Sequence, residues 1–192
     1  IVSLLLLCAI RATAQDDLLS RLTGEGGSRD SVASLVSEVS AVAPGQPFLV
    51  GLRLEHPAGW HCYYRNAGGP ELPPAIDWKL PEGFSAGAIQ WPVPELKDGY
   101  FGTSQIYSGS PVFLTEITPP DDLPPGTEVA IAAEASWQIC EEACRDESAS
   151  LTLTLTTAAA AVPDPAGAGV IEAAVATLPA TADGWKFSAV RD

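Results

Sequence analysis

The segment Ser136-Trp137-Gln138-Ile139-Cys140-Glu141-Glu142-Ala143-Cys144-Arg145 sets two thiols four residues apart. Such a pair can cycle between dithiol and disulfide, form a fixed crosslink, or bind a soft metal. A disulfide needs its Cα atoms within about 7 Å, whereas four steps of extended strand cover about 13 Å. Cys140 and Cys144 therefore pair only if the chain turns between them. Apolar alternation ends at Trp137 and resumes at Leu151, which places the pair in a strand-to-strand connection. A crosslink closing so small a loop constrains the unfolded chain little. Exchange suits an exposed short-loop pair better than stapling does, although the residues alone leave both open, with metal binding as the third reading.

The neighbouring charges pull in opposite directions. Glu141 and Glu142 disfavour a thiolate and Arg145 favours one, so a strongly activated nucleophile is not expected. Reaction is expected when a partner thiolate attacks the disulfide, or when the partner's surface supplies activation. Cys62 beside His61 forms, with Cys140 and Cys144, an alternative soft-metal set for copper or zinc. The blander account of Cys62, a small buried hydrophobe, is preferred. His61 is expected to be a packed side chain and His56 a loop residue. Tyr63 and Tyr64 either line the disulfide or belong to the core, and Asp98 either moves a cysteine proton or forms a turn before Gly99. No Ser-His-Asp set, phosphate-cradling glycine loop or HExxH motif occurs. No organic cofactor is implied, because two cysteines carry both electrons.

The elements that must position these groups read as all-β. Short apolar runs separated by Gly and Pro start near Ser34, at the spacing of a sandwich. Strands are expected from Leu35 through Val39, over Phe48 to Leu54, around Ile76, Trp78 and Leu80, over Val129 to Trp137, and over Leu151 to Thr156. Asp121 to Gly126 is a turn. Residues 34–157 form the expected domain and 16–33 a flexible leader. Residues 158–169 read as a small-residue linker, and 170–192 as the start of a further segment with one short helix.

Residues 1–15 read as a secretory signal: an apolar run from Ile1 to Ile10, then Ala12-Thr13-Ala14 as a cleavage site. The run is too short for a permanent span, and no later segment is long and apolar enough for one. Export puts the cysteines where disulfides persist. With 24 acidic against 10 basic residues, the chain lacks the basic footprint that nucleic acid or an anionic membrane requires.

Several separated motifs then add a resemblance. They are Gly59-Trp60-His61 with Tyr63-Tyr64-Arg65-Asn66, Ile76-Asp77-Trp78 with Leu80-Pro81-Glu82-Gly83-Phe84, and Ile89-Gln90-Trp91-Pro92. Asp98-Gly99-Tyr100-Phe101-Gly102 with Ile106-Tyr107 follows, and finally Trp137 with Cys140 and Cys144. From about Leu35 to Thr156 the sequence resembles the N-terminal periplasmic domains of the DsbD thiol:disulfide interchange proteins and of ScsB-type copper-tolerance proteins. The resemblance implies an immunoglobulin-like β-sandwich acting as a protein-disulfide reductase component in the periplasm. Its electrons would come from a membrane electron-transfer protein by way of a thioredoxin-like domain. They would pass to periplasmic thiol oxidoreductases, including those of cytochrome c maturation. By position, Cys144 would form mixed disulfides with partners and Cys140 would resolve them. Asp98 to Gly102 matches the cap loop, with Tyr100 and Phe101 as the shield. The cysteine spacing is shorter than in the best-known family form, and Cys62 stands where the family requires no cysteine. The competing functions are a copper-handling or partner-binding module and a structural, adhesion-like sandwich.

Overall fold

The computed structural model describes residues 30–99 and 102–180. The expected signal, nearly all of the leader, Tyr100, Phe101 and the tail containing Trp185 and Phe187 lie outside the described residues. The strands in chain order are β1 (Val32–Ser37), β2 (Val39–Val42), β3 (Phe48–Glu55), β4 (His61–Tyr63), β5 (Ala75–Lys79) and β6 (Ser85–Ala86). They continue with β7 (Glu95–Gly99), β8 (Gly102–Ser108), β9 (Val112–Thr118), β10 (Glu128–Cys140), β11 (Cys144–Thr157) and β12 (Val162–Pro163), and α1 (Pro165–Val175) follows. One sheet has the order β1-β3-β9-β6, and the other runs β12-β2-β11-β10-β4-β8-β7. β10 carries β11 along one side; on the other it pairs β5 at Ala132–Ser136 and β4 at Cys140.

The all-β expectation holds, and the chain folds as an immunoglobulin-like sandwich. In β10, Val129, Ile131, Ala133, Ala135, Trp137 and Ile139 are all buried, with more open residues between them. Period-2 alternation turns those side chains to one face. They meet Val50, Leu52, Leu54 and Phe113 of the other sheet, and the inter-sheet core forms two clusters. A ring group of Tyr64, Trp91, Tyr107 and Phe113 fills the part beneath β4 and β8, its members meeting edge to face.

Three differences from the sequence reading have identifiable causes. The first strand is two strands: β1 belongs to one sheet and β2 to the other. The chain changes sheet at Glu38, whose N–H donates to the Leu49 carbonyl and whose carboxylate accepts from the Leu49 N–H at 2.7 Å. Second, the β10–β11 hairpin does not stop at Trp137 and restart at Leu151; it runs in register to the Cys140–Cys144 pair. The inward positions of β11 there hold Arg145 and Glu147, so apolar alternation is lost although the ladder continues. Third, residues 158–169 are not a free linker. The Ala158 N–H donates to Val42, β12 pairs β2, and the helix starts at Pro165 rather than Val170. Asp164 caps that helix by accepting from the Ala166 N–H, and Pro165 occupies its first turn, where a missing N–H costs nothing. Ile171 and Ala174 then pack on Leu114, covering the outer face of the β1-β3-β9-β6 sheet.

Candidate functional site

Cys140 and Cys144 are the last facing pair of the β10–β11 ladder and are joined as a disulfide, with Cα atoms 4.1 Å apart. Residues 141–143 make the turn, closed by a long Glu141 N–H to Ala143 carbonyl contact of 3.5 Å. The turn lies over Gly59, where φ is +87°; a Cβ there would come within 2.6 Å of Glu141 Oε1. A glycine suits both demands.

The two sulfurs have different surroundings. Cys144 is exposed, whereas Cys140 is 4% exposed and packs with Tyr63, Ala67 and Ile106. Cys140 faces His61 of β4, whose Tyr63 is on the same face two residues on and faces Ile106 of β8. The Tyr63 hydroxyl lies 4.0 Å from Cys144 Sγ. Burial raises the Tyr63 pKa, with the charge of Glu71 adding to it, so the phenol keeps its proton and can donate to a sulfur. His61 is buried, its ring edge-on to Tyr63 at 5.3 Å and its Nδ1 3.4 Å from Lys97 Nζ. Burial first and the Lys97 charge second lower its pKa, favouring the neutral ring.

Strand alternation separates the other candidates. Cys62 points the opposite way from His61 and Tyr63, into the core with Leu52, Leu54 and Phe113. Burial pushes its thiol pKa well up, as fits an inert hydrophobe. It therefore does not join His61, Cys140 and Cys144, and among the described residues no three His, Cys, Asp or Glu side chains converge as a metal set. Tyr64 belongs to the ring cluster rather than to the disulfide. Asp98 accepts from the Thr103 hydroxyl at 2.7 Å, tying β7 to β8. Gly99 faces Gly102 on either side of Tyr100 and Phe101.

Arg145 is not placed to favour the thiolate. Following Cys144 in a strand, it turns to the opposite face, where its Nη2 lies 2.9 Å from Glu147 and 3.2 Å from Asp30, and its guanidinium lies over Trp60 at 4.4 Å. Glu147 also accepts from the Trp137 indole N–H at 2.7 Å and the Ser31 N–H at 3.2 Å. Burial opposes the Glu147 charge, but the bonds from Arg145, Ser31 and Trp137 outweigh it and lower the carboxyl pKa. The sequence reading gave no site role to Ala67, Ile106 or Glu147. An Arg-x-Glu spacing at a strand start was a signal for the Arg145–Glu147 pair; Ile106 stood only within a family motif, and nothing local marks Ala67.

His56 sits behind this cluster, its Nδ1 2.8 Å from the Ser31 hydroxyl. Burial lowers its pKa to about 4, against a partial upward pull from Glu147. The unfolded chain therefore binds the proton more readily between pH 6.5 and 4. Stability is full above that window and falls as pH drops through it, by about 1–3 kcal/mol. Urea midpoints taken from pH 7 to pH 4 should decline in the native domain and flatten in His56→Gln; equal slopes would refute the assignment to His56.

An immunoglobulin-like sandwich that ends a hairpin in a short-loop disulfide, one sulfur buried and the other open, has the arrangement that a thiol–disulfide exchange domain needs. The match to known proteins agrees: residues 33–156 fit the family described as Thiol:disulfide interchange protein DsbD, N-terminal, and the chain belongs to that family. No curated protein matches. Among solved structures, the N-terminal periplasmic domain of ScsB from Proteus mirabilis superposes with a TM-score of 0.54 at 18% identity, over 77% of this chain and 54% of that one. The chain thus spans about half of that ScsB domain structure, and the likeness is one of fold. The reduced DsbD N-terminal domain of Neisseria meningitidis is also similar, with a TM-score of 0.32 and 16% identity over 64% of this chain and 85% of that one. Among the described residues no helix is long and apolar enough to cross a membrane.

Proposed function

We propose that this domain is a periplasmic protein-disulfide reductase module, exported by residues 1–15, in which Cys144 exchanges with partners and Cys140 resolves. The carrying observation is the asymmetry of the pair: Cys144 is open to solvent and Cys140 is enclosed by Tyr63, Ala67 and Ile106. In the reduced domain the Cys144 thiolate attacks a disulfide sulfur of a periplasmic thiol oxidoreductase. That S–S bond breaks, its other sulfur leaves as a thiolate and takes a proton, and a mixed disulfide remains. Cys140, having lost its proton, attacks Cys144 Sγ and releases the partner's second sulfur. Two electrons and two protons have then passed to the acceptor. A dithiol donor, a thioredoxin-like domain or a membrane electron-transfer protein, reverses these steps to reload the domain.

The Tyr63 hydroxyl is suited to donate a hydrogen bond to the Cys144 thiolate as it forms or leaves. By the family resemblance Tyr100 and Phe101 are assigned as the shield of the pair, in the loop whose base Asp98 holds through Thr103. An apolar cover excludes stray thiols until a partner displaces it.

The test is the reduction potential of the pair, by thiol alkylation in graded redox buffers with mass spectrometry to assign the modified cysteines. A reversible two-electron transition at Cys140 and Cys144, with Cys62 silent, is expected within the range of thiol–disulfide carriers. A pair that stays oxidised well below roughly −300 mV is a structural disulfide and ends the reductase reading.

A further inference from the structure

We infer that Arg145, held by Trp60 and Glu147, is a positioning residue that keeps the two thiols within bonding reach when the disulfide is open; the inference rests on the exchange function proposed above. The local strand order is β11-β10-β4. Arg145 of β11 faces Ile139 of β10, and Cys140, the next residue of β10, faces His61 of β4, which Trp60 immediately precedes. By stacking on Trp60, the guanidinium reaches from β11 behind β10 to the lead-in of β4 and ties both neighbours of the strand that carries Cys140. Its Nε and Nη2 both donate to Glu147 Oε1, and Nη2 also lies 3.2 Å from Asp30. Glu147 is anchored in turn, its side chain 10% exposed and bound to Trp137 on β10 and to the Ser31 backbone leading into β1.

This clamp lies one residue inward from the bond that the reaction breaks. After reduction the covalent tie at the hairpin tip is gone, and across the turn only the 3.5 Å Glu141–Ala143 contact remains. What keeps the ends of β10 and β11 together is then the ladder, the 2.9 Å hydrogen bond from the Gln138 amide to Asp146 across it, and the Arg145 clamp, which alone reaches on to the lead-in of β4. Two groups held close behave as though at high concentration toward each other, and freedom in the tether lowers that concentration. Loosening the clamp therefore favours the dithiol and slows Cys140 in resolving a mixed disulfide. A flat guanidinium making two bonds and one stack does this; a lysine ammonium supplies the charge without the plane.

The experiment equilibrates the full chain with reduced and oxidised glutathione, so that disulfide plus two glutathione thiols gives dithiol plus glutathione disulfide. Native protein, Arg145→Lys, Arg145→Gln and Trp60→Leu are compared. Alkylation rate against pH gives the Cys144 thiol pKa for each, and circular dichroism confirms folding. All three variants should shift the equilibrium five- to tenfold toward dithiol, about 20–30 mV by the two-electron constant, with the thiol pKa unmoved. Native behaviour in Arg145→Lys would mean that charge, not clamping, matters, and would overturn the inference. So would a pKa change large enough to explain the shift, or no shift in any folded variant. Should one Arg145 variant fail to fold, Trp60→Leu and the other variant still decide. A native pair that never becomes reduced would instead refute the exchange function itself.

Discussion

Reduced Cys140→Ser, mixed with glutathione disulfide, will accumulate one glutathione adduct on Cys144 and keep it. The native domain will pass through the same adduct and end as the internal disulfide with two glutathiones released. The Cys144 thiolate attacks one sulfur of the reagent and the other leaves, which needs only access, and Cys144 is exposed. The second step needs a thiol across the hairpin, and the serine oxygen cannot perform it. Cys144→Ser leaves Cys140 as the lone member of the pair, 4% exposed beneath Tyr63 and Ile106. Because thiol reactivity follows access as well as thiolate fraction, its adduct should form at least about tenfold more slowly. Intact-mass measurement over time distinguishes the cases. Equal rates for the two single variants would remove the basis for assigning Cys144 as the exchanging residue.

Phe113→Ala will cost about 3–5 kcal/mol of folding stability, the range for truncating a buried aromatic ring. Phe113 is 0% exposed, and its ring meets Tyr107 at 5.2 Å and Trp91 at 5.5 Å. Tyr64 closes the same cluster from the strand end beside β4. Removing Phe113 leaves a void beneath β4 and β8, the strands that hold His61, Tyr63 and Ile106 against the disulfide. A domain with ordinary net stability of about 5–15 kcal/mol becomes marginal. The urea midpoint should fall with little change in slope. A loss below about 1 kcal/mol would mean that the surroundings collapse into the void and that this cluster is not the support under the site.

Much of the site was legible because it depends on short-range pattern. Cys140 and Cys144 cannot pair without a turn, and the structure closes them across a three-residue one. Cys62 was best read as a buried hydrophobe, and it packs with Leu52 and Phe113. Arg145 was misread because a charge one residue from a thiol looks close in sequence, whereas a strand sends successive side chains to opposite faces. The hairpin was under-read for a related reason. Arg145 and Glu147 take inward positions that apolar residues usually hold, and they do so only because Trp137, Ser31 and Trp60 satisfy them. Burial of charge on those terms needs partners from distant parts of the chain.

From its own residues the sequence determined an all-β chain, the turn between the cysteines and, through its spaced motifs, the family. These follow from alternation, turn residues and chain reach, which act over a few positions. Only the tertiary structure decided which sulfur is open, which of Tyr63 and Tyr64 approaches it, where Arg145 points, and that α1 covers a sheet. Each depends on the register and packing of strands far apart in the chain, and a one-residue slip in register would reverse every face.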